Sequence, residues 1–227
     1  MHQILRIAPS MILMFLTVET FGQEPLQQLY SSEGWTVIDE HETGRKISVK
    51  SIKGMELNAV MVTNTVQLGA ETLLNVVADL ANYKKIFTSS SQVTTTVLKS
   101  TPEFTDAYQH LPVPIPFLSD RHYIFRMDSI KDNRVVWTLI SYHNGYKAFL
   151  QERDMEYNNP VYLESGIGIW DVIEDGKNSC QLSYRVYMDS GGNLPNFLID
   201  WLNRKAIGNI FDDVVLAALT RTSENIN

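Results

Sequence analysis

Residues 194–218 read LPNFLIDWLNRKAIGNIFDDVVLAA. Leu194, Leu198, Trp201, Leu202, Ile207, Ile210, Phe211, Val214, Val215 and Ala218 recur near the 3.6-residue period and mark one broad apolar face of a helix. Asp200, Arg204, Lys205 and Asp213 fall on the opposite side. Gly191-Gly192-Asn193 offers a flexible approach and a cap, and Pro195 is tolerated in the first turn. Gly208 is an internal weak point, costing about 1 kcal/mol relative to Ala. A helix with so wide an apolar face needs a large apolar partner, and the preceding residues supply one.

Upstream of this helix the period is two. Arg121 to Ile130, Arg134 to Tyr142, Val161 to Ile173 and Ser179 to Met188 alternate apolar and polar residues and read as strands. Asp132-Asn133, Asn158-Asn159-Pro160 and Asp175-Gly176 supply the turn chemistry between them. Lys147 to Tyr157 reads as an edge strand. Gln92 to Leu98 and Asp106 to Leu111 precede the proline cluster Pro112-Val113-Pro114-Ile115-Pro116, which fits neither a helix nor a central strand. Leu73, Leu74, Val76, Val77, Leu80 and Tyr83 form a helical face ending around Tyr83 to Phe87. Three more strands come earlier, at Trp35–Glu40, Arg45–Lys53 and Leu57–Leu68, behind a short amphipathic helix marked by Leu26, Leu29 and Tyr30. Helix, three strands, helix, about six strands and a long helix imply an α+β fold with an antiparallel sheet.

The chain has 227 residues, of which 44% are hydrophobic and 20% charged, enough for one domain with a sizeable core. Its net charge of −7, without a basic stripe, argues against nucleic acid as a partner. At the N-terminus, Arg6 precedes the apolar run Ile7 to Val18, which is too short to span a bilayer comfortably and fits a signal peptide. The expected division is a signal peptide over 1–23 and one domain over 24–227. The protein is then exported, periplasmic or secreted; the alternative is a membrane anchor formed by the uncleaved segment. Cys180 is the only cysteine, so no internal disulfide forms, and its place in an alternating strand predicts burial.

The order of elements and three segments resemble the START (StAR-related lipid transfer) domain, in the wider Bet v 1-like helix-grip group. The segments are Gly34-Trp35 at the entry to the first strand; Leu111-Pro-Val-Pro-Ile-Pro-Phe-Leu-Ser-Asp-Arg-His-Tyr123; and Met188-Asp-Ser-Gly-Gly-Asn-Leu-Pro195 before the last helix. The likeness runs from about Glu24 to the end. Where the family often has an acidic residue after the Arg, this chain has His122. The resemblance implies a helix-grip fold, a curved antiparallel sheet wrapped around the long C-terminal helix with a tunnel between them. It also implies a carrier or sensor of a lipid or other hydrophobic ligand rather than a catalyst.

An apolar chain of about fourteen methylenes gains on the order of 10 kcal/mol on leaving water, at about 0.8 kcal/mol each. A carrier must match that with a concave apolar volume bearing few polar anchors. Tyr123, Phe125, Trp137, Tyr142, Trp170 and Tyr184 are the candidate wall, with Tyr146 and Tyr187 as further large strand residues. Each has an ordinary core role as its bland alternative. Arg121 is the candidate polar contact at the cavity end; otherwise it holds the Pro-rich loop to the sheet. Arg126 and Arg185 read as solvent-facing strand charges. Phe197 and Trp201, with the Pro-rich loop, form the candidate gate, and Phe117 and Leu118 are candidates for transient membrane contact.

No catalytic signature stands out, and neither a metal nor a cofactor is expected. The five histidines show no metal-ligand spacing. Gly166-Ile167-Gly168 lacks the third glycine and following helix of a dinucleotide loop. Two other readings stand beside the carrier. One is a cyclase or dehydratase acting on an aromatic or polyketide-like substrate, with His122 or His143 and Asp120 or Tyr184 as acid-base groups. The other is an envelope interaction protein with a filled core.

Overall fold

The computed structural model describes residues 23–90, 93–113, 115–142, 144–176, 178–189, 191 and 196–224, with the side chains of 23–26 and 196–203 outside the description. Among the described residues ten strands form one curved sheet. Helix α1 (Gln23–Tyr30) leads into β1 (Thr36–Glu40), β2 (Lys46–Ser51) and β3 (Asn58–Val66). Then come α2 (Ala70–Ala78), a 3-10 turn (Leu80–Asn82) and the short α3 (Tyr83–Ile86). Next are β4 (Thr94–Ser100), β5 (Phe104–Leu111), β6 (Arg121–Asp128), β7 (Arg134–Ile140), α4 (Lys147–Glu156), β8 (Val161–Tyr162), β9 (Gly166–Glu174), β10 (Cys180–Met188) and the long α5 (Asn196–Glu224).

The sheet runs β1-β2-β3-β10-β9-β7-β6-β5-β4, all antiparallel, with β8 joined in parallel to the start of β6. The hairpin between β6 and β7 turns on Asp132 and Asn133, at φ 52° and 55°, a left-handed conformation these short polar residues tolerate. Two expectations need correction. Lys147–Tyr157 holds helix α4 (Lys147–Glu156) and its C-cap rather than an edge strand. Val161–Ile173 is two strands, because the chain leaves β6 after Tyr162 and rejoins the sheet beside β7 at Gly166.

Alternation sorts the strand residues onto two faces. The inner face meets α2 and α5 in one core that includes Val60 and Val62 of β3, Phe125 of β6, Trp170 of β9 and Leu182 of β10, with Leu73, Leu74, Phe211, Val214 and Ala218 from the helices. The outer face carries two smaller clusters. In one, Leu29 of α1 packs with Ile52, Ala59, Ile169 and Tyr187; in the other, Leu150 of α4 packs with Tyr108 and Ile124. Cys180 is buried, and burial pushes its thiol up, away from reactivity.

Helix α5 also departs from the expected polar side. Asp213 is 5% exposed, not solvent-facing. Its carboxylate accepts hydrogen bonds from the Ser89 hydroxyl at 2.6 Å, the Ser89 amide at 3.1 Å and the Thr88 hydroxyl at 3.0 Å. A buried carboxylate needs such donors, and here they pin the segment after α3 to α5. Arg45 pairs with the neighbouring Asp212, and Arg221 with Asp79, so polar contacts flank the apolar seat of the helix.

Candidate functional site

A cavity of about 170 Å³ lies between α5 and the inner face of the sheet. Strands β6 and β7 give it Tyr123, Phe125, Met127 and Trp137; β9 and β10 give Trp170, Tyr184, Val186 and Met188. Gln109 and Leu111 come from β5, Tyr83 and Phe87 from α3 and its end, and Ala206, Ile207 and Ile210 from α5. Ser90 and Val93 complete the described wall, and none of these side chains is charged.

The aromatic rings brace one another. Trp170 stacks on Tyr184 with centroids 3.9 Å apart and planes 8° from parallel, and lies 6.1 Å from Phe211 of α5. Phe125 meets Trp137 and Tyr123 edge to face. The Trp137 indole N–H donates to the Tyr184 hydroxyl oxygen at 3.3 Å. Tyr123 donates its hydroxyl to Gln109 Oε1, and Gln109 Nε2 donates to Thr95 Oγ1 at 3.0 Å. Burial drives the phenols of Tyr123 and Tyr184 well above their ordinary value, so both remain protonated donors.

Five of the expected contact residues, Tyr123, Phe125, Trp137, Trp170 and Tyr184, therefore face one cavity. Tyr142 does not. It follows β7 on the outer side, donates to Asp154 Oδ2 at 2.9 Å and meets Tyr162 edge to face. Tyr146 also lies outside, bonded to Asp106 at 2.7 Å, and Tyr187 packs in the α1 cluster. Arg121 is buried and directs its guanidinium to the carbonyls of Ser119 and Gly191, which ties the Pro-rich loop to the approach to α5. It is not among the described lining residues. Phe197 and Trp201 belong to α5, but their side chains lie outside the described residues.

Gln109, Tyr83 and Phe87 were not anticipated. Gln109 carried a signal: it sits two residues from Ala107 and Leu111, so alternation places this polar residue on an apolar row. Tyr83 and Phe87 were legible only as helix residues.

Arg126, Arg185, His110 and His122 alternate with the cavity-lining residues of their strands and lie on the outer face. Arg126 pairs with the buried Asp106 at 2.7 Å. Arg185 lies 3.6 Å from Asp171 and is only 12% exposed, so it is covered rather than solvent-facing. His110 Nε2 is 3.0 Å from Asp120, whose other oxygen accepts the Val113 amide at 2.9 Å. His122 Nε2 is 3.4 Å from Asp154. Both histidine–carboxylate pairs are thus separated by the sheet from the cavity, while His143 lies outside the described residues. Among the described residues no group of three or more His, Cys, Asp or Glu could hold a metal ion.

No family model matches the chain. Over 126 residues, 52% of this chain, it is 25% identical to mouse (Mus musculus) phosphatidylcholine transfer protein and spans 54% of that protein, about half its length. The crystal structure of human STARD10 aligns with a TM-score of 0.67 at 16% identity, covering 87% of this chain and 78% of that one. The Zhui aromatase/cyclase from Streptomyces sp. R1128 aligns with a TM-score of 0.51 at 14% identity, covering 74% and 95%. STARD10 and an aromatase/cyclase thus align with the same backbone arrangement, and fold alone does not assign chemistry. Together with the sheet and the helix it grips, these likenesses show that this chain has the START helix-grip fold.

Proposed function

We propose that this protein binds a lipid or similar apolar molecule in the cavity between α5 and the inner face of the sheet and carries it through water. The observation that carries this reading is a mainly aromatic and aliphatic wall with no charge among its described members, closed on one side by a helix. Apolar surface entering such a site leaves water at about 25 cal/mol per Å². The volume of about 170 Å³ is close to the roughly 150 Å³ of dry apolar cavities that take up benzene. It is below the range of about 300–1,000 Å³ usual for pockets that hold drug-sized ligands. One end of an acyl chain fits the closed form, and a whole lipid needs α5 and the sheet to part.

A soluble carrier must meet a membrane. Phe117 supports the Pro-rich loop as the place of contact. It is fully exposed and holds φ 69°, a conformation unusual for a bulky residue. Residues 1–23 are read as an export leader, which makes the working compartment the periplasm or the outside of the cell.

The cyclase reading requires an acid-base pair at the substrate. The described histidine–carboxylate pairs are on the opposite face, and the carrier reading is preferred on that ground.

The test is mass spectrometry of an organic extract of purified protein, followed by incubation with phosphatidylcholine vesicles. A lipid recovered near one per chain, or taken up from vesicles, is the expected result. A clean extract together with no uptake overturns the reading.

A further inference from the structure

The polar atoms of the cavity wall differ in what they have left to give. Tyr123 spends its hydroxyl hydrogen on Gln109, Gln109 gives one of its two amide hydrogens to Thr95, and Tyr83 donates to the Val77 carbonyl at 2.6 Å. Tyr184 is in another position. Its oxygen receives the Trp137 N–H, yet its own hydroxyl hydrogen meets no acceptor among the described residues. The residue is only 6% exposed, so little of it reaches bulk water. Stacking on Trp170 fixes the ring. A buried donor left unmade is costly, and a hydroxyl that already accepts one hydrogen bond donates the next more strongly.

We propose that the Tyr184 hydroxyl is the polar anchor of the cavity, donating a hydrogen bond to a neutral acceptor oxygen, such as an ester or ketone carbonyl, on an otherwise apolar ligand. The inference rests on the cavity-binding reading above and narrows it to a ligand class. A charged group buried here finds no opposite charge on the described wall, and such burial is strongly unfavourable. A pure hydrocarbon leaves the Tyr184 donor unmade. A neutral carbonyl satisfies both demands. Trp137 acts as a positioning residue, because its N–H occupies one lone pair of the Tyr184 oxygen and so restricts where the hydroxyl hydrogen points.

The experiment equilibrates the protein with phosphatidylcholine vesicles carrying trace radiolabelled methyl palmitate or radiolabelled octadecane, and measures the amount of each held by the separated protein. The readout is the ester-to-alkane ratio, corrected for the partition of each probe into vesicles. The wild type should prefer the ester by about 3- to 10-fold, the range of one neutral hydrogen bond. In Tyr184→Phe the ratio should fall to about 1, and in Trp137→Phe it should fall part of the way. Melting curves establish that each variant is folded; if Tyr184→Phe is not, the Trp137→Phe ratio decides. A ratio that stays at the wild-type value in the folded variants overturns the proposal, even if both probes bind less. So does a wild type that holds both probes without preference, and that outcome leaves the cavity reading standing. A wild type that holds neither probe sinks the cavity reading itself, and this inference with it.

Discussion

Trp137 and Gly168 face each other across the β7–β9 pair, and the indole of the first covers the backbone of the second. A Cβ built on residue 168 would lie far inside contact distance of the indole ring, and one on Gly166 would press on Leu139. Two glycines that resemble a fragment of a nucleotide loop are instead a recess for Trp137 of the cavity wall and for Leu139, which packs against the core. Gly168→Ala should therefore displace Trp137 and cost about 1–3 kcal/mol, the usual penalty of overpacking. Chemical denaturation measures the loss, and a shift in tryptophan fluorescence reports the moved ring. A denaturation midpoint equal to the wild type would show that the ring does not lie there.

The seat of α5 is tested by contrasting two of its residues. Phe211 is fully buried beside Trp170, whereas Leu216 is 57% exposed. Phe211→Ala should cost about 3–5 kcal/mol. Leu216→Ala should stay within about 0.5 kcal/mol. Equal effects in urea unfolding would mean that the helix presents a different side to the sheet.

Much of this arrangement was legible because two periods dominate the chain. The 3.6-residue repeat of Ile207, Ile210, Phe211, Val214 and Ala218 predicts the helix face that the core uses. Alternation predicts most strands, and Asp132-Asn133 marks its hairpin. Alternation also contained a warning about Tyr142: it stands five residues after Trp137, an odd spacing, so the two cannot share a strand face. What it does not say is which face turns toward α5, since both faces of this sheet are covered. The missed helix α4 had its own signal. Tyr146, Phe149, Leu150, Arg153 and Tyr157 follow helical spacing, and no β-branched residue occurs from 146 to 157. Asp213 was misplaced because a charge was assumed to seek water, while Ser89 and Thr88, distant in sequence, supply its donors.

His122 makes stability depend on pH. It is fully buried, with Tyr108 and Tyr162 against its ring and Asp154 near Nε2. Burial and the nearby His110 hold its pKa below the ordinary 6.5, although Asp154 pulls the other way. The fold thus prefers the neutral ring, and the unfolded chain binds the extra proton. This contribution is complete above pH 6.5 and is lost as pH falls through that value toward the lower folded pKa. One such proton tilts stability by up to about 1.4 kcal/mol per pH unit. Unfolding at about pH 7.5 and about pH 5.5 should show a larger loss for the wild type than for His122→Gln. Parallel profiles would remove His122 from the account.

Phe117 separates membrane contact from folding. Its side chain is fully exposed at φ 69°, so Phe117→Gly removes no buried contact and relieves the backbone. Melting should move by no more than about 2 °C, while co-sedimentation with phosphatidylcholine vesicles should fall. Undiminished sedimentation would move the contact to another surface.

The central claim is that the guest lies between α5 and the inner face of the sheet. It is tested most directly with a fatty ester bearing a diazirine partway along its alkyl chain, loaded from vesicles, photolysed and mapped by peptide mass spectrometry. Adducts on the segments holding Phe125, Trp137, Ile207 and Ile210 are the predicted result. Adducts confined to α4 on the outer face, or to the Pro-rich loop around Phe117, would contradict it.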